Sequence, residues 1–122
     1  MMRHYFVAIK DKAPRMILKV VIEDQIYPIT VPEAIISDAG DFFDKIDRDM
    51  DKGWQMSRDW VDHPNQEQRC QIVGDKMLTA MHNDNKEMMV LLSAYVLARV
   101  PGVSSLRIDT NGEMMETELV LG

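Results

Sequence analysis

Residues 44–60 read DKIDRDMDKGWQMSRDW, with aspartates at the alternate positions 47, 49 and 51 and a glycine just behind them. Alternating carboxylates are what a calcium loop of the EF-hand kind supplies at its positions 1, 3 and 5, ahead of a turn glycine at 6 and a bidentate glutamate at 12. Asp47, Asp49 and Asp51 fill the first three places, but Lys52 stands at the glycine position and Arg58 at the glutamate position. Inserting one residue would bring Gly53 and Asp59 into frame while putting Met56 where a ligand belongs. A helix needs no insertion. Phe42, Ile46 and Met50 recur every four residues straight through the segment, with Phe43 beside them. Lys52 then sits in the last turn and Gly53 just past the cap, where a left-handed residue stops a helix. The expectation is therefore a helix whose aspartates face water. Arg48 and Lys52 offset part of their unfavourable placement at the negative end of the helix dipole.

A second set of candidate ligands follows. His63, Glu67 and Cys70 are spaced by four and three, and the HNDN run adds His82 and Asp84. Nitrogen, oxygen and sulfur donors of these types hold transition metals when they converge. Pro64 works against a continuous helix here, because the residue before a proline is pushed out of helical geometry. A seven-residue gap also sets Cys70 about 10 Å from His63 along a helix axis, too far for a thiolate–imidazole pair. A metal site built from His63, Glu67, His82 and Asp84 is the alternative reading, and no other cofactor is implied. Gly40, Gly53, Gly74 and Gly102 are isolated and form no phosphate-binding loop. No serine occupies a nucleophile elbow, and no carboxylate has an apolar setting that would raise its pKa.

Trp54, Met56 and Trp60 fall within seven residues of one another, next to Asp49 and Asp51. Large amphipathic rings beside a polar rim are the composition of an interaction surface. On a continuing helix Met56 and Trp60 share the inward side and Trp54 points outward. Eleven methionines accompany them. Met77, Met81, Met88 and Met89 flank one helix–helix turn, as core filler or as the lining of an adaptable groove.

The elements that must hold these residues read as an α+β layout. Residues 4–9, HYFVAI, look like a first strand. Residues 16–31 look like a hairpin turning at Asp24-Gln25, which pairs Leu18 with Val31, Val20 with Ile29 and Ile22 with Tyr27. Pro28 marks the second strand of that pair as an edge. Asn111-Gly112 signals a C-terminal hairpin, with Ile108 opposite Met115 and Arg107 opposite Glu116. Leu119 and Leu121 would then be buried on the Met115 face. Three or more helices fill the middle. One carries Phe42, Ile46 and Met50, one runs from about Pro64 to His82 with Gly74 allowing close packing, and one opens at Asp84 with Glu87 in capping-box spacing. The last is apolar nearly all round and should be the central helix. The expected sheet is antiparallel, built from an N-terminal meander and the C-terminal hairpin, with the helices on one face.

At 122 residues the chain is one domain in length, and 46% hydrophobic with 28% charged residues is a globular composition. The longest apolar run, residues 88–98, is about half a membrane span, and no secretory leader pattern opens the chain. The single Cys70 fits a reducing cytoplasm. Net charge is −6, with nine acidic groups against four basic between residues 32 and 63. No basic stripe exists to release counterions from phosphate, so nucleic acid and membrane are not the expected partners. The expected function is a non-catalytic accessory or adaptor domain acting through protein–protein binding and forming a homodimer. Besides the metal reading, a pocket for a small apolar ligand between helices and sheet is the other alternative.

Overall fold

The computed structural model describes residues 14–122. The strand read at residues 4–9 lies outside them. Two strands open the described chain, β1 (Arg15–Ile22) and β2 (Gln25–Pro32), followed by helices α1 (Glu33–Asp38) and α2 (Gly40–Asp51). A small hairpin, β3 (Trp54–Met56) and β4 (Asp59–Val61), precedes the long helices α3 (Gln66–His82) and α4 (Lys86–Arg99). Strands β5 (Val103–Ile108) and β6 (Glu118–Leu121) end the chain, with a single 3₁₀ turn, Met114–Glu116, between them.

The larger sheet has the order β2-β1-β5-β6. Its outer pairs are antiparallel, as expected, but β1 and β5 lie side by side and parallel, so the sheet is mixed. Among the described residues all four α-helices lie in the crossover between those two central strands, the long connection a parallel pair requires.

Both hairpins form, each with its register moved by two residues from the expected one. The first turns at Glu23-Asp24, whose φ values of 48° and 67° are those of a type I′ turn. Leu18 consequently faces Ile29, and Met16 faces Val31. A two-residue shift keeps every side chain on its face. Leu18, Val20, Ile22 and Val31 are still buried together. In the second hairpin Asn111-Gly112 does not form the tight turn. Asp109 accepts the N–H groups of Asn111 (2.9 Å) and Glu113 (3.0 Å), and its own N–H goes to Thr117 Oγ1 (3.0 Å), which opens a wide loop. Arg107 then lies opposite Glu118, not Glu116. Leu119 is only half-buried, and Leu121 is 64% exposed.

The helices cover one face of this sheet. Phe43, Ile46 and Met50 of α2 are buried, as are Cys70, Val73 and Met77 of α3. Helix α4 buries seven consecutive-turn positions, from Met89 to Leu97, and is the central helix. Tyr95 on it is fully buried and meets Phe43 edge-on at 6.0 Å between centroids. Gly74 sits where α3 crosses the sheet: a Cβ there would come within 3.2 Å of Thr117 Cγ2. Alongside it, Gln71 Nε2 donates to the carbonyls of Met115 (3.0 Å) and Thr117 (3.1 Å), tying the wide loop to α3. Helix α3 starts with an Asn65–Gln68 capping box. Helix α4 is capped by Asn85, whose side chain accepts Met88 N–H. Asp84, expected to cap it, instead takes φ 53° in the turn.

Candidate interaction site

The aspartate segment is helical to Asp51, and Gly53 follows the C-cap at φ 104° with its N–H on Met50 O (3.0 Å). No calcium loop forms. The helix nevertheless sorts its aspartates into two groups, which the expectation of a uniformly wet face missed. Asp44, Asp47 and Asp51 lie at spacings of three and four and so share a side. That side meets Arg69 from α3 and Arg99 from α4. Asp47 Oδ1 accepts from Tyr95 OH (2.5 Å) and Arg69 (3.2 Å), and its Oδ2 accepts from Arg99 Nε (3.1 Å). Arg69 also reaches Asp51 (2.7 Å) and the Pro64 carbonyl (2.8 Å), while Arg99 reaches Asp44 (3.3 Å). Burial pushes the Asp47 carboxyl up, but the bonds from Tyr95, Arg99 and Arg69 together outweigh it and hold its pKa below the ordinary value. Burial and the Asp47 bond both raise the Tyr95 phenol, which stays protonated as a donor. The signal in the sequence was an arginine beside Cys70 in an otherwise apolar stripe, and a second one closing the central helix.

Asp49 points the other way. Among the described residues it pairs only with Lys45, at 3.4 Å, and both side chains are largely exposed. On this side α2, α3 and the start of α4 leave a cleft of about 540 Å³. Phe42 and Ile46 from α2, Ala80 from α3, and Met88 and Leu92 from α4 form its apolar floor, and Trp54 forms one wall. Lys45, Asp49, Asp75, Lys76, Asn83 and Asn85 make a polar rim. The Lys76 ammonium lies 4.7 Å from the centroid of the Trp54 ring, a cation–π contact that fixes that wall.

Trp54 is there because the chain beyond Gly53 is extended, not helical. Strand alternation puts Trp54 and Met56 on one face of the β3–β4 hairpin: Met56 is fully buried and Trp54 half-buried. Trp60, paired with Gln55, is on the other face and 58% exposed. The expected orientations, Trp54 outward and Trp60 inward, are therefore reversed. The indole of Trp60 lies against Gly53, where a Cβ would come within 2.4 Å of the ring, and its Nε1–H donates to Asp62 (2.7 Å). The hairpin tip is pinned to the β5–β6 loop: Ser57 Oγ donates to Gly112 O (2.8 Å) and accepts Met114 N–H (3.0 Å).

The four residues of the metal reading are not brought together. His63 and Glu67 stand at the start of α3, His82 and Asp84 at its end, and 17 residues of helix separate the two pairs by about 25 Å. Among the described residues no group of three or more His, Cys, Asp or Glu side chains is placed to hold a metal ion. Cys70 is fully buried, and burial pushes its thiol up to about 11, so it supplies no thiolate nucleophile at neutral pH. Among the described residues no helix is long and apolar enough to cross a membrane.

A second groove, of about 510 Å³, runs between β2 and the α3–α4 turn, lined by Tyr27, Ile29, Met81, Met89 and Val90. The methionines around that turn thus divide between two grooves, Met88 on one side and Met81 with Met89 on the other. Compared with protein-family models, curated proteins and solved structures, the chain has no significant match.

Proposed function

We propose that the chain is a non-catalytic accessory domain that binds a protein partner in the cleft walled by Trp54. One observation carries this reading: the cleft joins a half-buried tryptophan and a floor of Phe42, Met88 and Leu92 to a hydrated charged rim. Its volume suits one or two apolar side chains of an incoming segment. On the rim Lys45 pairs with Asp49 and Lys76 lies over the Trp54 ring, which leaves the Asp75 carboxylate to favour a basic residue flanking that anchor. Met88, unbranched and polarisable, adapts the floor to the anchor that arrives.

Selection from a random peptide library displayed on phage tests the reading. Enriched sequences should carry an aliphatic or aromatic anchor beside Lys or Arg, and should lose binding to a Thr79→Arg variant, because Thr79 of α3 also lines the cleft and the longer side chain fills it. Peptides that bind this variant as well as the unmodified chain would sink the proposal.

A second reading, a small apolar ligand held between helix and sheet, is favoured by the groove beside β2 with its Tyr27 and methionine lining. Native mass spectrometry of the purified chain separates the two. A copurifying small molecule lost on Val90→Lys, with no peptide binding at Trp54, would favour this one.

A further inference from the structure

We propose that β6 is a self-association edge, on which two copies of the chain pair antiparallel about Val120 and join their sheets. The surface is distinct from the Trp54 cleft and does not depend on it. Gly122 donates its N–H to Gly102 O (3.0 Å), and the Val120 carbonyl accepts from Ser104 Oγ (3.1 Å), so both residues turn their polar groups towards β5. Backbone groups alternate sides along an antiparallel strand. Leu119 and Leu121 therefore turn theirs to the outer edge, where each offers a donor and an acceptor. Among the described residues nothing pairs with that edge.

The opposite edge of the same sheet is guarded. The two-residue turn makes Ile22 and Gln25 a hydrogen-bonded pair, so Ile26, Pro28, Thr30 and Pro32 are the residues of β2 that face outward. Two of those four are prolines and have no N–H to give. Proline is one of the devices that blunt an edge strand, and β6 contains neither a proline nor a lysine.

The occupant that fits β6 is a second β6. Centring an antiparallel pair on Val120 sets each Leu119 opposite the other copy's Leu121, and these are the residues with outward backbone groups. Each such pair exchanges two hydrogen bonds. Leu121, 64% exposed in one copy, then covers the half-buried Leu119 of the other and extends the core across the junction. Val120 meets its own counterpart as the close, non-hydrogen-bonded pair. Glu118 falls opposite Gly122, so no like-charged side chains are opposed.

Site-directed cross-linking of the full chain tests this register. Val120→Cys should form covalent dimers when diamide takes up the two thiol hydrogens, because the close pair suits a disulfide. Ile26→Cys, more exposed but on the proline-guarded edge, should stay monomeric under the same treatment. The natural Cys70 is fully buried and adds no background. Sedimentation of the unmodified chain should move towards the dimer mass as concentration rises to about 100 µM, the weak end expected of so short a ladder. Leu121→Pro should lose that shift without changing Tm, since it deletes an outward N–H and no bond within the sheet. A Val120→Cys variant that remains monomeric, or that cross-links no better than Ile26→Cys, would overturn the proposal.

Discussion

The two sides of helix α2 carry the same kinds of residue and do different work. One side presents Phe43, Asp47 and Asp51 to α3 and α4, where the ring is buried and the carboxylates clamp two arginines. The other presents Phe42, Lys45 and Asp49 to the Trp54 cleft, where the ring is half-buried and the ion pair is exposed. Asp47 and Asp49 are two residues apart, about 200° around the helix. Composition cannot separate them. What separates them is the position of Arg69 and Arg99 on two other helices, which only the packed fold supplies. An aromatic left half-open to the cleft and a carboxylate that, among the described residues, holds no arginine are what make the cleft side the candidate binding surface.

The largest test of this contrast is the pair of phenylalanines. Phe43→Ala should destabilise by about 4 kcal/mol, since it opens a cavity against Tyr95 and uncovers the Arg99 guanidinium that lies 5.6 Å from its ring centroid. Phe42→Ala should cost about 1 kcal/mol, because its ring is only half-buried at the edge of the core. Urea unfolding of both variants decides it. Equal losses would mean that the cleft is closed in solution and that Phe42 is core.

The aspartates come next. Asp47→Ala leaves Tyr95, Arg69 and Arg99 without their shared acceptor and should destabilise by about 2 kcal/mol, the low end for a broken buried pair, because Asp47 keeps 25% side-chain exposure. Asp49→Ala removes one exposed pair and should stay within about 0.5 kcal/mol. The same contrast predicts a pH dependence. The folded-state pKa of Asp47 is lowered, so its contribution is fully present above the unfolded value of 3.8 and is lost as pH falls through the lower folded value. Tm measured from pH 6 downward should therefore fall less steeply in acid for Asp47→Asn than for the unmodified chain. Parallel acid limbs for the two proteins would remove Asp47 from the stabilising network.

Legibility followed the range of the interaction. The stop at Gly53, the helix that ends at His82 and the apolar circumference of α4 are written in neighbouring residues, and each forms as read. The face of each strand in the first hairpin was legible too, because a two-residue slip preserves parity. The parallel pairing of β1 with β5 was not, since no local pattern says that two hairpins far apart in sequence lie with their inner strands side by side. Asn111-Gly112 misled for a physical reason: Asp109 captures two nearby backbone N–H groups, and Gln71 of α3 holds the far side of the loop, so a competing local turn and a tertiary contact together override the Asn-Gly preference. Trp54 and Trp60 were misplaced because helical periodicity was carried past a residue that ends the helix. An alternating pattern after Gly53 reverses both.

The smallest expected effect concerns those two tryptophans, and it bears directly on the cleft. Trp60→Phe should change Tm by little: the ring is 58% exposed, its hydrogen bond to Asp62 is a surface contact, and phenylalanine still covers Gly53. What remains is a protein with Trp54 as its single indole, a reporter in the cleft wall. Its emission should be quenched by acrylamide less than that of Trp60, measured in the reciprocal Trp54→Phe variant, because one face of Trp54 lies on the hairpin core and Lys76 stands over its ring. The quenching that remains must come through the cleft, so a peptide anchored on Phe42 and Met88 should reduce it further while leaving Trp60 unchanged. If Trp54 is already inaccessible to acrylamide without peptide, the wall has no open side, and the contrast between the two faces of α2 reduces to two depths of the same core.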